Sequence, residues 1–240
     1  HRFGRIPVTY EEAVADYALT VSSDRYTGAH ARLFCDYMGI MLSLLPAFIA
    51  TYHAMKDRRR IAPLLFTRRV SSAGFIYARY AALVTAAMLP ILLMGCILTG
   101  MQAAAYGMAS IDLLAYLKYS LLWLAPTAML STAAGLFLTT LTGTPIAIAA
   151  QLLWWFIDIN GGTGMYTYVG NYAPLLMPRH NTLGKTQVFV DTLPVLMQSR
   201  ITAAVLAILL VALSVAAFEL KRRGRLHAPR IFHSPSLGKA

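Results

Sequence analysis

Between positions 119 and 157 the chain carries no charged residue. A helix crosses a bilayer with about 20 apolar residues, because each residue advances about 1.5 Å through a hydrocarbon layer of about 30 Å. The stretch is therefore roughly twice what one crossing needs. A water-soluble fold would break such a run with charges to build its surface. Here charged residues make up 13% of the chain, against about a quarter in an average soluble domain. They gather between the apolar runs, which marks a bilayer as the solvent.

The run must fold back on itself, and Thr142-Gly143-Thr144-Pro145 is where it can. Glycine ends a helix without steric cost, and proline opens the next with φ already set. Five spans are expected, at 33–54, 75–98, 113–141, 145–157 and 201–218. The fourth is short, which calls for little tilt or for a non-helical continuation buried in protein. Arg79 near one end of the second can extend its stem toward the interface. The fold class is all-α, a polytopic membrane helical bundle.

Orientation follows the distribution of Lys and Arg. The loop 55–72, Arg79 and the segment from Glu219 onward hold thirteen basic residues against only Asp57 and Glu219. That face alone accounts for the formal net charge of +11 and is expected to be cytoplasmic. The chain is thus read as a multi-pass protein of the plasma (inner) membrane with a cytoplasmic basic tail at 224–240. The basic residues set topology and meet lipid headgroups, and no nucleic-acid partner is expected. Five spans with the C-terminus inside place residues 1–32 outside, so a sixth span is expected before His1.

Outside the spans, Thr9 and Glu12 form a capping-box pattern ahead of Ala13, Val14 and Tyr17. A short helix is expected there, either amphipathic on the membrane or an ordinary solvated one. The outer segment 158–200 opens on Asn160-Gly161-Gly162 and carries Tyr166, Tyr168, Tyr172 and Met177. Its apolar stretch 173–177 is too short to span, so a re-entrant or surface-lying element is expected. The four residues are read either as an outer gate on a substrate path or as a headgroup-level loop. In the inner loop, Ile61, Leu64 and Leu65 recur at i, i+3 and i+4 beside basic residues, one face of a helix that could rest on lipid or dock on a soluble partner.

Signatures of catalysis fail. Gly184-Lys185-Thr186 suggests a phosphate loop, but Arg179 stands where its first glycine belongs, and the segment falls on the outer side. The six histidines have no ligand spacing, and His53 is read as an interfacial side chain. Cys35 and Cys96 sit in apolar stretches and are read as buried thiols. Asp36, the acid within a span, lies near its outer end and is read as hydrated.

In order, the features resemble the membrane subunit of ABC-2 type transporters. The residues that carry the likeness are Asp57-Arg58-Arg59-Arg60, Leu64-Leu65, Arg68-Arg69-Val70-Ser71-Ser72 and Tyr77-Ala78-Arg79-Tyr80, then the turn at 142–145 and the long outer segment 160–200 before the last span. Ile61-Ala62-Pro63 stands where the family often has Gly-Thr. The resemblance implies a six-span, type V exporter-like arrangement. It implies a coupling helix for an ATPase subunit, carried by Asp57, Arg58, Arg59, Ile61, Leu64, Leu65, Phe66 and Arg68. It also implies two ABC ATPase subunits as partners, a second identical or homologous permease, and ATP with Mg bound on the ATPase rather than on this chain. No cofactor is expected here, and the chain itself is not expected to be an enzyme.

Two classes of function fit the sequence: an ATP-driven export permease for a peptide, lipid-linked or amphiphilic substrate, and a stand-alone secondary transporter or structural or regulatory membrane subunit. Both share the topology, which is testable directly. Single cysteines placed at 58–69 or 221–225 should react with an impermeant maleimide only after cells are opened; labelling in intact cells would invert the orientation.

Overall fold

A computed structural model describes residues 9–23, 25–60, 70–160 and 169–225. Four helical stretches are long and apolar enough to cross a membrane: Arg25–Lys56, Ser72–Tyr106, Met108–Thr142 and Thr186–Arg222. The protein is a membrane-embedded helical bundle. The expected short fourth span is a fifteen-residue helix, Ile146–Asn160, about 22 Å long and so shorter than the hydrocarbon layer.

In chain order the helices are α1 (Tyr10–Ser23), α2 (Arg25–Leu42), α3 (Leu45–Arg60), α4 (Ser72–Tyr106), α5 (Ala115–Tyr119), α6 (Ala125–Thr142), α7 (Ile146–Asn160) and α8 (Thr186–Arg222). The capping box forms at the start of α1, where Thr9 N–H donates to Glu12 Oε2 at 3.1 Å and Glu12 N–H to Thr9 Oγ1 at 3.2 Å. The turn after α6 also forms: Gly143 adopts φ 67°, and its N–H closes on the Thr139 carbonyl at 2.8 Å. A side chain there would strain the left-handed backbone.

Helix α6 is the centre of the bundle, packed between α3 and α8. Its contact face is built from small residues, including Ala128, Ser131, Thr132, Gly135 and Thr139, all buried. Apolar side chains gain little by leaving lipid for one another, so small residues that let backbones approach supply the packing instead. At Gly135 the approach is closest: an added Cβ would lie 2.5 Å from the Ala47 carbonyl oxygen of α3. Ala203, Ala207 and Ser214 give α8 the same character.

Two of the spans are interrupted where the sequence reading has them continuous. The first breaks at Ser43-Leu44, between α2 and α3, where Pro46 supplies no N–H for the preceding turn. Ser131 Oγ, at 3.1 Å, and Gln151 Nε2, at 2.6 Å, both donate to the Ser43 carbonyl that the break exposes. The third contains a π-turn at Ser120–Leu124, with the Ala125 N–H reaching back to Ser120, immediately before Pro126. A widened turn takes up the extra residue and accommodates a proline that cannot donate. The last span is also longer than expected, its helix starting at Thr186 rather than near 201.

Cys35 is buried, as expected, but Cys96 is exposed, because α4 presents much of its length to the outside of the bundle. Replacing Gly135 by Ala should cost about 1–3 kcal/mol, through the forced separation of α3 and α6. Gly100→Ala, where nothing lies within 4 Å, is the control. Thermal unfolding of the detergent-solubilised protein should show a lower midpoint for the first variant and no loss for the second.

Candidate functional site

Residues 169–185 form no helix, and Pro174 and Pro178 make one impossible to sustain there. The Arg179 N–H bonds to the Asn171 carbonyl at 2.7 Å, and the Gly170 N–H to the His180 carbonyl at 3.3 Å, so the segment closes into a loop. It is exposed at Ala173, Asn181, Leu183 and Lys185 and half-buried or buried elsewhere. Tyr172, Leu176, Met177 and His180 are each 2% exposed or less. Irregular backbone at that depth has no ladder of its own and must find partners among side chains.

The bundle supplies them. Arg200 of α8, 2% exposed, donates from Nη2 to the Pro174 and Leu175 carbonyls, both at 2.9 Å. Its Nη1 reaches Thr127 Oγ1 at 2.9 Å and the Trp123 carbonyl, in the π-turn, at 3.2 Å. Ser199 Oγ also donates to Pro174 (2.9 Å), Thr127 Oγ1 to Leu176 (2.9 Å) and Trp123 Nε1 to Pro178 (3.0 Å). The amide groups are met by acids. Leu176 N–H donates to Asp158 Oδ2 at 2.8 Å, His180 N–H to Asp36 Oδ1 at 2.8 Å, and Asn181 N–H to Asp36 Oδ2 at 2.7 Å. Asp36 is therefore not the hydrated acid that its place near a span end suggests. It is 3% exposed because this loop folds over it.

His180 is held at both ring nitrogens. Nε2 lies 2.8 Å from the Gly184 carbonyl, an acceptor only, so Nε2 carries the proton and Nδ1 accepts from the Tyr172 hydroxyl. Burial pushes the His180 imidazole below the ordinary histidine value, with the Gly184 carbonyl acting in the opposite sense. Burial likewise pushes the Tyr172 phenol up, so it stays a donor. The Tyr172 ring meets Trp123 edge-on at 5.6 Å and Phe189 at 6.3 Å, and the Arg32 guanidinium lies over Phe189 at 4.6 Å.

The loop ends where α8 begins. Lys185 has φ 61°, and Asp16 of α1 accepts from the Lys185 and Thr186 N–H groups at 2.9 and 3.0 Å. A carboxylate on a helix N-terminus satisfies orphan donors and opposes the helix dipole. Gly184 is needed for this approach, since a Cβ there would stand 2.6 Å from Asp16 Oδ2. The Gly-Lys-Thr sequence thus serves a carboxylate of the chain itself. Thr20 Oγ1 and Thr186 Oγ1, 2.6 Å apart, complete the contact.

At the opposite end, marked by the basic residues, α4 and α8 are clamped. Ser71 caps α4 by accepting from Gly74 N–H at 3.0 Å, and Ser72 Oγ donates to Glu219. Glu219 Oε1 also receives Arg223 Nε at 2.8 Å, and Arg222 Nη1 donates to the Val70 carbonyl at 2.9 Å. Phe75 stacks on Phe218 at 5.2 Å, with the Arg79 guanidinium 4.3 Å over the Phe75 ring. The exit of the basic loop is pinned to the last helix.

Of the residues singled out in the sequence, Tyr172 and Met177 face the bundle interior rather than an open mouth. Tyr166 and Tyr168 lie outside the described residues, as do Ile61, Leu64, Leu65, Phe66 and Arg68. Asp57, Arg58 and Arg59 fall on the last turn of α3. The sequence reading missed the roles of Asp16, Asp36, Asp158, Thr127, Trp123, His180 and Arg200. The available signal was the pair Pro174 and Pro178 flanking apolar residues: buried backbone that cannot be helical needs polar partners. Among the described residues no three His, Cys, Asp or Glu side chains converge as a metal site.

The imidazole assignment has a pH consequence. A histidine whose pKa is depressed by folding binds its proton more readily when unfolded, so stability is full above about pH 6.5 and falls as pH drops below it toward the folded value. Unfolding midpoints of the wild type should fall between pH 7 and pH 5 by more than those of His180→Gln. Equal pH dependence in the two proteins would contradict the neutral, doubly bonded ring. No protein-family model matches the chain, and no curated protein or solved structure matches it.

Proposed function

We propose that the chain is the permease subunit of an ATP-driven ABC-2 type transporter, exporting a peptide, lipid-linked or amphiphilic substrate. In this reading it pairs with a second permease and with two ATPase subunits that bind ATP and Mg, and the basic face is cytoplasmic.

The observation that carries the reading is the clamp on the basic loop. The loop leaves α3, which packs against the central helix through Ala47 and Gly135, and it re-enters at α4, whose first turn is tied to α8 through Ser72 and Glu219. A push on the loop is therefore delivered to three membrane helices at once. A lipid-resting loop has no need of such a connection, whereas coupling to a motor subunit does. The residues in contact with the ATPase would be Asp57, Arg58, Arg59, Ile61, Leu64, Leu65, Phe66 and Arg68.

The buried charges favour this reading over a secondary transporter. An ion-coupled carrier needs titratable side chains open to its ion near mid-membrane. Asp36 and Asp158 instead accept from backbone amides, and Arg200 donates to backbone carbonyls. The two larger clusters of buried side chains are apolar, which suits an amphiphile. Tyr166, Tyr168, Tyr172 and Met177 would belong to the outer element that closes the path, with Tyr172 and Met177 as its buried anchor.

Co-purification tests the proposal. The chain should bring down an ATPase whose turnover it stimulates. Leu64→Asp with Leu65→Asp should abolish binding, while Glu219→Gln should leave binding intact and lower stimulation at least several-fold. An ATPase rate indifferent to all three substitutions would remove the coupling role.

A further inference from the structure

At the end of the bundle remote from the basic loop, a groove of about 640 Å³ opens between the end of α1, the start of α2 and the connection from α4 to α5. Two cations line it. Arg25 is oriented by donating from Nη1 to the Ile111 carbonyl at 2.8 Å. Lys118 is oriented by Asp112, whose Oδ2 is 2.7 Å from Nζ. Asp112 is held within the connection: its Oδ1 accepts from Leu114 N–H at 2.9 Å, and its own N–H donates to Thr27 Oγ1 at 2.9 Å. The carboxylate aims the lysine, and among the described lining residues two cations stand against one carboxylate, with Ser22 and Ser23 also lining the groove.

One rim of this polar groove is apolar and open. Met108 is 70% exposed, and Leu113 and Leu114 are each about half exposed. Close by, Tyr26 stacks on Tyr106 at 5.2 Å and meets Tyr17 edge-on at 6.0 Å. Tyr17 belongs to a stripe on α1 of Tyr10, Val14, Tyr17 and Val21, at i, i+4, i+7 and i+11, all exposed. Exposed apolar side chains, tyrosines and two cations gathered at one end of the bundle are the side-chain types that meet a headgroup layer.

We propose that this groove holds the phosphate of a phospholipid from the leaflet at that end of the bundle. Arg25 and Lys118 are the phosphate ligands, and Met108, Leu113 and Leu114 lie along the first part of the acyl chains. Guanidinium and ammonium groups together bind a phosphodiester through charge-assisted hydrogen bonds. A free phosphate would satisfy the cations and leave the apolar rim in water, so the lipid is the source that uses both. The site is independent of the transport reading, and it makes α1 an element that lies in the interface rather than one surrounded by water.

Phosphatidylglycerol in mixed micelles, diacylglycerol in the same micelles and inorganic phosphate are the three probes, read by native mass spectrometry and by thermal shift on the purified full chain. Phosphatidylglycerol should remain bound at one molecule per chain and raise the unfolding midpoint. Diacylglycerol and inorganic phosphate should do neither. Arg25→Gln with Lys118→Gln should weaken phosphatidylglycerol binding about tenfold or more. If that double variant does not fold, Met108→Glu decides, because the methionine is exposed and its replacement should leave the lipid-free midpoint unchanged while weakening the lipid at least several-fold. The proposal is overturned if diacylglycerol or inorganic phosphate matches phosphatidylglycerol, if the variants keep wild-type affinity, or if the surface instead joins two copies of the chain with lipid excluded.

Discussion

A peptide group inside a bilayer or a packed bundle has no water to turn to, and each unmade bond costs about 1–3 kcal/mol. Most of this chain meets the constraint with helices. Residues 169–185 do not, and the surrounding structure is arranged to make up the difference. Five carbonyl and amide groups between Pro174 and Pro178 are taken by Arg200, Ser199, Thr127, Trp123 and Asp158. Asp36 takes the two amides that follow. The π-turn in the third span belongs to the same arrangement, since the Trp123 carbonyl it offers is another acceptor for Arg200. Charges that would mark a transport pathway in another membrane protein here hold a loop in place.

The second organising feature is the way α6 is surrounded. With Gly135 against Ala47, and with alanines and serines on the facing side of α8, three helices come close enough for backbone and hydroxyl contacts to substitute for large apolar side chains. Hydroxyl groups then bond across the seams, as Ser131 does to Ser43 and Thr139 to Thr51. Such seams transmit displacement well because there is little soft side chain between the backbones. This is the mechanical property that a coupled permease would use.

Much of this plan was legible in the sequence, for a physical reason. Span existence depends on length and polarity, which are local. The charge-free run at 119–157 and the glycine and proline that fold it back were therefore readable, as was the capping box at Thr9 and Glu12. The break at Ser43-Leu44 was not, since a proline in a membrane helix is as often a mild kink as an interruption. Nor was the role of Asp36, whose partners lie 144 and 145 residues away. Side-chain bonds to a non-helical backbone leave no periodic mark. Asp158 and Arg200 stand at the two ends of the outer segment 158–200, and nothing in the sequence marks them as holding the loop between them.

The bond between Asp16 and the start of the last helix joins positions 169 and 170 residues apart. It ties α1 to the start of α8: a helix made earlier supplies the missing end of one made much later. During synthesis the donors at Lys185 and Thr186 would enter the bilayer's edge with their acceptor already waiting. Any change that displaces α1 would then register as unwinding at the start of α8, well beyond the reach of its neighbours in sequence.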